Sequence, residues 1–320
     1  MNDAARGIGF ILAGMLAISA NDMLIKLLSG GYPLHQMVFV RSAIAIPFSL
    51  ARVQIEGGWR ILRPDRPGLH LARGLLVVTA NMTYFAALAV LPLAEATALF
   101  FAAPLFITLL SIPLLGEKVG PWRIGAVVAG FAGVLVMLRP WQGTLDVPRA
   151  VLLRPVVAAL TYALMQLLTR KLGATAKASA MAVYIQGTFL VVAAGFYIVA
   201  GDGRFAEGLE NESLVFLLRE WVWPQGRDLW LFLALGANAT VIGYSLSAAY
   251  RAADVATVAP FEYVALPLAV LWGWFVFAEW PSGPVWTGIA LIVGAGLFVF
   301  LRERQRNRPV ALRTRVRRRY

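Results

Sequence analysis

Three ionisable residues stand inside otherwise apolar stretches: Asp22 in AISANDMLIKLL, Arg41 in QMVFVRSAIAIP and Glu262 in APFEYVALP. In lipid each costs ~2.5–3.5 kcal/mol at a helix centre unless it faces a partner or a wet cavity. Asp22 and Glu262 are therefore candidates for proton uptake, with a hydrogen-bonded structural carboxyl as the other reading of Glu262. Lys26 follows Asp22 by four residues, in the favourable order for a helical ion pair; the two form either a helix-end pair or part of a gate or site. Arg41 lies near a helix end, where a long side chain either snorkels to headgroups or touches a bound molecule. Uncharged polar groups gather on the same elements. Asn81 and Tyr84 share one helical face, as do Tyr162 and Gln166, while Asn238 and Tyr244 lie together further on; Tyr263 adjoins Glu262. Amides and phenols in lipid need partners, so these positions, with Asp22, Arg41 and Glu262, line a polar cavity or pack helix against helix.

Covalent chemistry is not indicated. There are no cysteines, which removes disulfides, thiolate metal sites and a cysteine nucleophile. His35 and His70 have no second ligand at metal spacing and read as interfacial or packed side chains. No acid–base cluster, DxxD pair or Gly-rich phosphate loop appears, so no catalytic residue, metal or cofactor is expected.

The elements that must position these residues are membrane helices. In 320 residues the apolar fraction is 59%, charged residues are 14% and mean hydropathy is +0.71, too apolar to cover a water-soluble surface. A span needs ~20 mainly apolar residues. Ten windows fit, near 7–28, 34–51, 69–91, 93–115, 121–138, 150–170, 180–200, 229–250, 254–277 and 284–301, which makes the chain an all-α polytopic membrane protein. The first window, interrupted by Asn21, Asp22 and Lys26, also has the outline of a signal peptide ending at Ile18-Ser19-Ala20. Lys and Arg in the loops favour one side by about three to one, which places both termini in the cytoplasm. The net charge of +12 is concentrated in the arginine-rich tail, 302–320, which reads as a topology anchor touching anionic lipid, not a nucleic-acid site. The segment from Gly201 to Asp228 carries Asp202, Glu207, Glu210, Glu212 and Glu220 and reads as a long external loop.

The windows come in two sets of five. TYFAALAVLPLAEAT from Thr83 aligns with GYSLSAAYRAADVAT from Gly243, with Tyr84 over Tyr244 and Thr97 over Thr257; Glu117 aligns with Glu279, Asp22 with Gln166 and Lys26 with Arg170. Glu262 falls on Ala102 and so belongs to one copy only. With five helices per copy the second enters from the opposite side, which gives inverted repeats over 7–139 and 150–301 with a site at the bilayer midplane. Pro104, Pro113, Pro260 and Pro267 interrupt the fourth and ninth helices and mark them as cavity walls, since freed carbonyls need a neighbour. Gly125, Gly130 and Gly133, with Gly288, Gly294 and Gly296, read as close-packing faces that hold the halves together or support a homodimer. Glu95 reads as a carboxylate at a helix start, and Glu117 and Glu279 as turn and capping groups.

LPLAEATALFFAAPLF followed by GE in the first copy, and APFEYVALPLAVLWGW followed by AEW in the second, resemble the drug/metabolite transporter superfamily, specifically its ten-helix members with two EamA repeats. The resemblance covers nearly the whole chain. The APFEY region is similar to the branch that includes riboflavin and S-adenosylmethionine uptake proteins. That likeness implies an inner-membrane carrier of a small molecule working by alternating access, with riboflavin-like uptake foremost. S-adenosylmethionine uptake, export of amino acids or drugs on the same fold, and a membrane-embedded enzyme are the other readings.

Overall fold

The computed structural model describes residues 3–63, 66–117, 119–142, 148–172, 178–253 and 258–306. Thr257, the start of the expected ninth helix and most of the basic tail lie outside them. The described residues form helices and turns without strands. They are α1 (Asp3–Leu28), α2 (Leu34–Glu56), α3 (Pro67–Leu88), α4 (Leu93–Phe100), α5 (Ala103–Leu115), α6 (Pro121–Leu138), α7 (Arg149–Leu172), α8 (Ala178–Ala200), α9 (Glu212–Leu218), α10 (Arg227–Ala252), a 3-10 turn at Ala259–Val264, α11 (Ala265–Phe277) and α12 (Gly283–Arg306). Ten stretches among them are long and apolar enough to cross a membrane, matching the ten windows to within a few residues.

Two windows are not continuous α-helix. The fourth breaks between α4 and α5 at Phe101-Ala102, because Pro104 in the first turn of α5 has no N–H to return to the carbonyl of Phe100. In the ninth, the 3-10 turn Ala259–Val264, with Pro260 in its first turn, precedes the α-helix that runs from Ala265. Both then end alike. Gly116 (φ 69°) and Ala278 (φ 55°) are left-handed, and the glutamate after each donates its N–H six residues back, Glu117 to Ser111 at 3.3 Å and Glu279 to Gly273 at 2.9 Å.

α1 packs along α10 and α3 along α7; α2 lies on α8, and α6 on α12. The last contact is backbone to backbone: a Cβ added at Gly133 would stand 3.0 Å from the Gly288 carbonyl, and one at Gly288 equally close to that of Gly133. No such contact surrounds Gly125 or Gly294. The interior is aliphatic, with Leu34, Met37, Leu88, Leu91, Leu93, Leu99 and Leu105 nearly fully buried.

The acidic segment after α8 is not a free loop. Asn211 caps α9 by accepting from the Leu214 N–H at 3.2 Å, and Phe216 is buried. Gln36 at the start of α2 donates to the Val222 carbonyl at 2.5 Å and accepts from its N–H at 3.2 Å. Trp221 lies against Tyr197, Phe39 and His35, Tyr32 donates to Asp228 at 2.8 Å, and Arg219 holds the carbonyls of Ser29 and Gly30. The segment is thus strapped across the α1–α2 turn.

Candidate functional site

Asp22 lies in the last third of α1, and its carboxylate accepts from the Asn21 amide at 3.2 Å and from the Tyr84 hydroxyl at 3.1 Å. Tyr84 also meets the Thr97 hydroxyl at 3.2 Å, and Thr97 donates to the Leu93 carbonyl one turn earlier in α4 at 2.7 Å. The row Asp22, Tyr84, Thr97, Leu93 therefore links α1, α3 and α4, with Tyr84, Thr97 and Leu93 buried and Asp22 half-buried. Arg41 does not snorkel. It is 8% exposed, sits 5.7 Å and 5.3 Å from the ring centres of Phe85 and Phe189, and donates to Asn21 at 3.4 Å. These rings and the charge of Asp22 take the place of solvent around the guanidinium.

Aromatic faces carry the polar row into the second half. Tyr84 stands 5.1 Å from Phe100 and Phe100 5.5 Å from Tyr162, centre to centre. Gln166 donates to the Tyr162 hydroxyl at 2.9 Å, as two groups four apart on one helix can. Glu262 lies near enough for its charge to act on both Tyr162 and Tyr263. Tyr263 crosses Phe101 at 5.2 Å, in the break between α4 and α5, and its hydroxyl fills the space that a side chain at Gly296 would need. Asp22, Tyr84, Tyr162, Gln166, Glu262 and Tyr263 thus form one line through the two proline-broken elements, with Arg41 beside its first member.

Other residues named from the sequence lie elsewhere. Asn81 donates to the Val77 carbonyl of its own helix at 3.0 Å. Asn238 donates to the Ala17 carbonyl at 2.5 Å and fastens α10 to α1. Tyr244 is 53% exposed, against Phe10 and Arg52, so it is not paired with Tyr84 across a cavity. Lys26 does not pair with Asp22. It reaches Glu279 at 3.0 Å and the carbonyls of Leu91 and Leu88 at 2.5 and 3.3 Å. Glu279 in turn accepts from the Leu93 N–H at 2.9 Å, so its capping role is exercised on a helix of the other half.

Arg73 is not among the residues singled out from the sequence. Arg73 is buried in the second turn of α3 and donates to Thr169 of α7 at 2.7 Å, with Tyr162 close by. Its place inside the 67–88 helix was the available signal. Asn21 and Thr97 carried none beyond ordinary polar residues in a helix. Among the described residues no group of three His, Asp or Glu could hold a metal ion. The line can hydrogen-bond a polar molecule, stack a flat ring and carry charge at Asp22 and Glu262.

Residues 5–139 match the EamA-like transporter family. The chain is 34% identical over 280 residues to a riboflavin transporter of Rhizobium johnstonii, covering 88% of this chain and 85% of that one. It is 32% identical to a riboflavin transporter of Vibrio cholerae, over 87% and 86% of the two chains, and 28% identical to an S-adenosylmethionine uptake transporter of Rickettsia felis, over 95% and 97%. A crystal structure 23% identical in sequence shares the fold, with a TM-score of 0.57 over 92% of this chain and 99% of the other. With ten apolar helices, a polar line crossing their middle and relatives matched almost end to end, the chain belongs to the EamA-like transporters of the drug/metabolite transporter superfamily and is a multi-pass membrane carrier of a small metabolite.

Proposed function

We propose that the protein takes up a riboflavin-like molecule across a bacterial inner membrane by alternating access of two inverted five-helix repeats, with both termini cytoplasmic, and that it is a carrier and not an enzyme. The observation that carries this reading is the line Asp22–Tyr84–Phe100–Tyr162–Gln166, in a chain 34% identical to a riboflavin transporter. A flat tricyclic ring suits stacking on the aromatic faces, and a polyol suits the carboxylate, amide and hydroxyls. Inverted repeats are supported by helix pairing. α1 on α10 has its counterpart in α7 on α3, α2 on α8 and α6 on α12 are their own counterparts, and the two broken helices end in the same left-handed turn followed by glutamate.

A proton count supports coupling at Asp22. Three contacts run in series, from Asp22 to Tyr84, Tyr84 to Thr97 and Thr97 to the Leu93 carbonyl, whereas two hydroxyls supply only two protons. A protonated Asp22 completes the series; an ionised one leaves the 3.2 Å Tyr84–Thr97 contact unfilled.

A second reading, uptake of S-adenosylmethionine, draws on Glu262 beside the rings of Tyr162 and Tyr263, which suits a sulfonium cation. Both are tested by expressing the protein in a riboflavin-requiring bacterium without its own importer and measuring labelled uptake against an empty vector. Saturable riboflavin uptake that survives Glu262→Gln supports the flavin reading. Uptake of S-adenosylmethionine that is abolished by the same change supports the second, and no riboflavin uptake despite expression in the membrane overturns the first.

A further inference from the structure

Arg73 is a buried cation to which the uptake reading gives no task. It is 7% exposed in the second turn of α3 and turns its Nε–H to the Thr169 hydroxyl at 2.7 Å. Thr169 gives its own proton to the Met165 carbonyl one turn earlier in α7 at 2.8 Å. These bonds fix the plane of the guanidinium and use one of its five N–H groups. Among the described residues no acceptor meets the two terminal nitrogens, which are not sealed from open space, and no carboxylate pairs with the side chain. The backbone is held as firmly. A Cβ at Gly74 would stand 2.5 Å from the Thr188 hydroxyl, so α3 lies against α8 at the level where Arg73 reaches α7. A cation withdrawn from water without an ion pair costs stability, and packing alone would be served better by an apolar chain of similar length.

Position supplies the task. Arg73 lies at the Tyr162 end of the polar line, close enough for its charge to act on that phenol, while Asp22 lies at the other end, beyond Phe100 and Tyr84. Phe100, Tyr162 and Gln166 between them are half-buried, so open space adjoins the row. The two ends differ in kind: a carboxylate accepts hydrogen bonds, whereas a guanidinium can only donate them. A molecule with hydroxyl groups at one end and bare acceptors at the other is therefore received one way round.

We propose that Arg73 is a binding residue of the carrier, whose terminal N–H groups take the oxygen acceptors on the carbonyl edge of a flavin ring. The ring then lies on Tyr162 and Phe100 with its polyol towards Asp22. This rests on the flavin reading and narrows it to flat rings that carry a carbonyl–imide edge. A ring without such acceptors leaves the guanidinium buried and unpaired, and a site built to hydrogen-bond its ligand rejects the analogue that cannot answer.

The test compares oxygen with sulfur at that edge. We would purify the full chain in detergent, follow riboflavin binding by the quenching of its fluorescence, and use 2-thioriboflavin and 4-thioriboflavin as competitors, since sulfur is the weaker acceptor. The parent should prefer riboflavin to at least one thio form by about tenfold or more, as expected for a bond to a charged donor. Arg73→Met should bind riboflavin about tenfold more weakly and bring that preference within about threefold. Arg73→Gln, which keeps a polar chain at the site, should lose the preference in the same way. An arginine that only supports the fold would weaken riboflavin and its thio forms together and leave their ratio unchanged. The proposal is overturned if the parent shows no preference, or if both variants keep it. No riboflavin binding by the parent removes the flavin reading and this inference with it, whereas riboflavin binding with an unchanged ratio removes the role of Arg73 alone.

Discussion

Removing the Tyr84 hydroxyl tests the polar line at its middle member. Tyr84→Phe keeps the ring and its packing 5.4 Å from Phe85 and 5.1 Å from Phe100, so the change is confined to one oxygen. That oxygen is 3.1 Å from Asp22 and 3.2 Å from Thr97, on a residue 7% exposed, so water cannot take its place. A hydrogen bond to a charged acceptor contributes about 1.5–3 kcal/mol and one between neutral groups about 0.5–1.5 kcal/mol. The charge state of Asp22 is thus readable from the coupling energy between the two side chains. We would measure unfolding free energies in detergent for the parent, Tyr84→Phe, Asp22→Ala and the double variant, so that the loss of Asp22 charge beside Arg41 cancels within the cycle. In alkaline buffer the coupling should fall in the upper range. As the pH is lowered and Asp22 takes a proton, it should drop into the lower range, and the pH dependence of uptake should follow the same transition. A coupling below about 0.5 kcal/mol at every pH would refute the hydrogen bond, and a coupling in one range throughout would refute proton exchange at Asp22.

Other consequences concern the frame around the line. Ala278 holds a left-handed conformation that glycine adopts freely, so Ala278→Gly should raise the unfolding free energy by about 0.5–1 kcal/mol while leaving uptake intact. Gly296→Ala would put a Cβ 1.7 Å from the Tyr263 hydroxyl; it should cost about 1–3 kcal/mol of stability and reduce uptake, and adding Tyr263→Leu should recover part of the stability but not the uptake. Gln36→Leu leaves both backbone groups of Val222 unpaired, at about 1–3 kcal/mol, and should appear as faster hydrogen exchange across 201–226 without loss of the helical core.

Hydropathy located the ten spans because a lipid-facing helix must be apolar along its length, and length is fixed by the bilayer. Proline placed the interruptions in the fourth and ninth spans, although it did not say that the one in the ninth would be a 3-10 turn. Within the site, pairs close in sequence were legible: Tyr162 and Gln166 meet as their spacing requires. Pairs distant in sequence were not. Asp22 and Lys26 have the spacing of a helical ion pair, yet each finds a better partner across a helix boundary, Tyr84 for the first and Glu279 for the second. Periodicity fixes which residues share a face of one helix and is silent on the rotation of that helix against its neighbours. Tyr244 shows the same limit: it aligns with Tyr84 in the sequence, yet it is exposed where Tyr84 is buried. The strap after α8 was read as loop because its acidic residues face water; the anchors that bind it, Gln36, Tyr32 and Trp221, lie in or beside spans.

The departures from repeat symmetry carry as much information as the agreements. Matching positions at Gly116 and Ala278 form the same turn, and Glu117 and Glu279 donate their N–H groups to the same relative carbonyl, so the two broken helices are built alike. Lys26 and Glu279 join the turn after α11 to α1 and to the start of α4, so the point where the fourth span begins is tied to the point where the ninth finishes. Glu262 has alanine as its counterpart in the internal alignment, and its place beside Tyr162 and Tyr263 suits recognition of a ligand and not a role common to both copies.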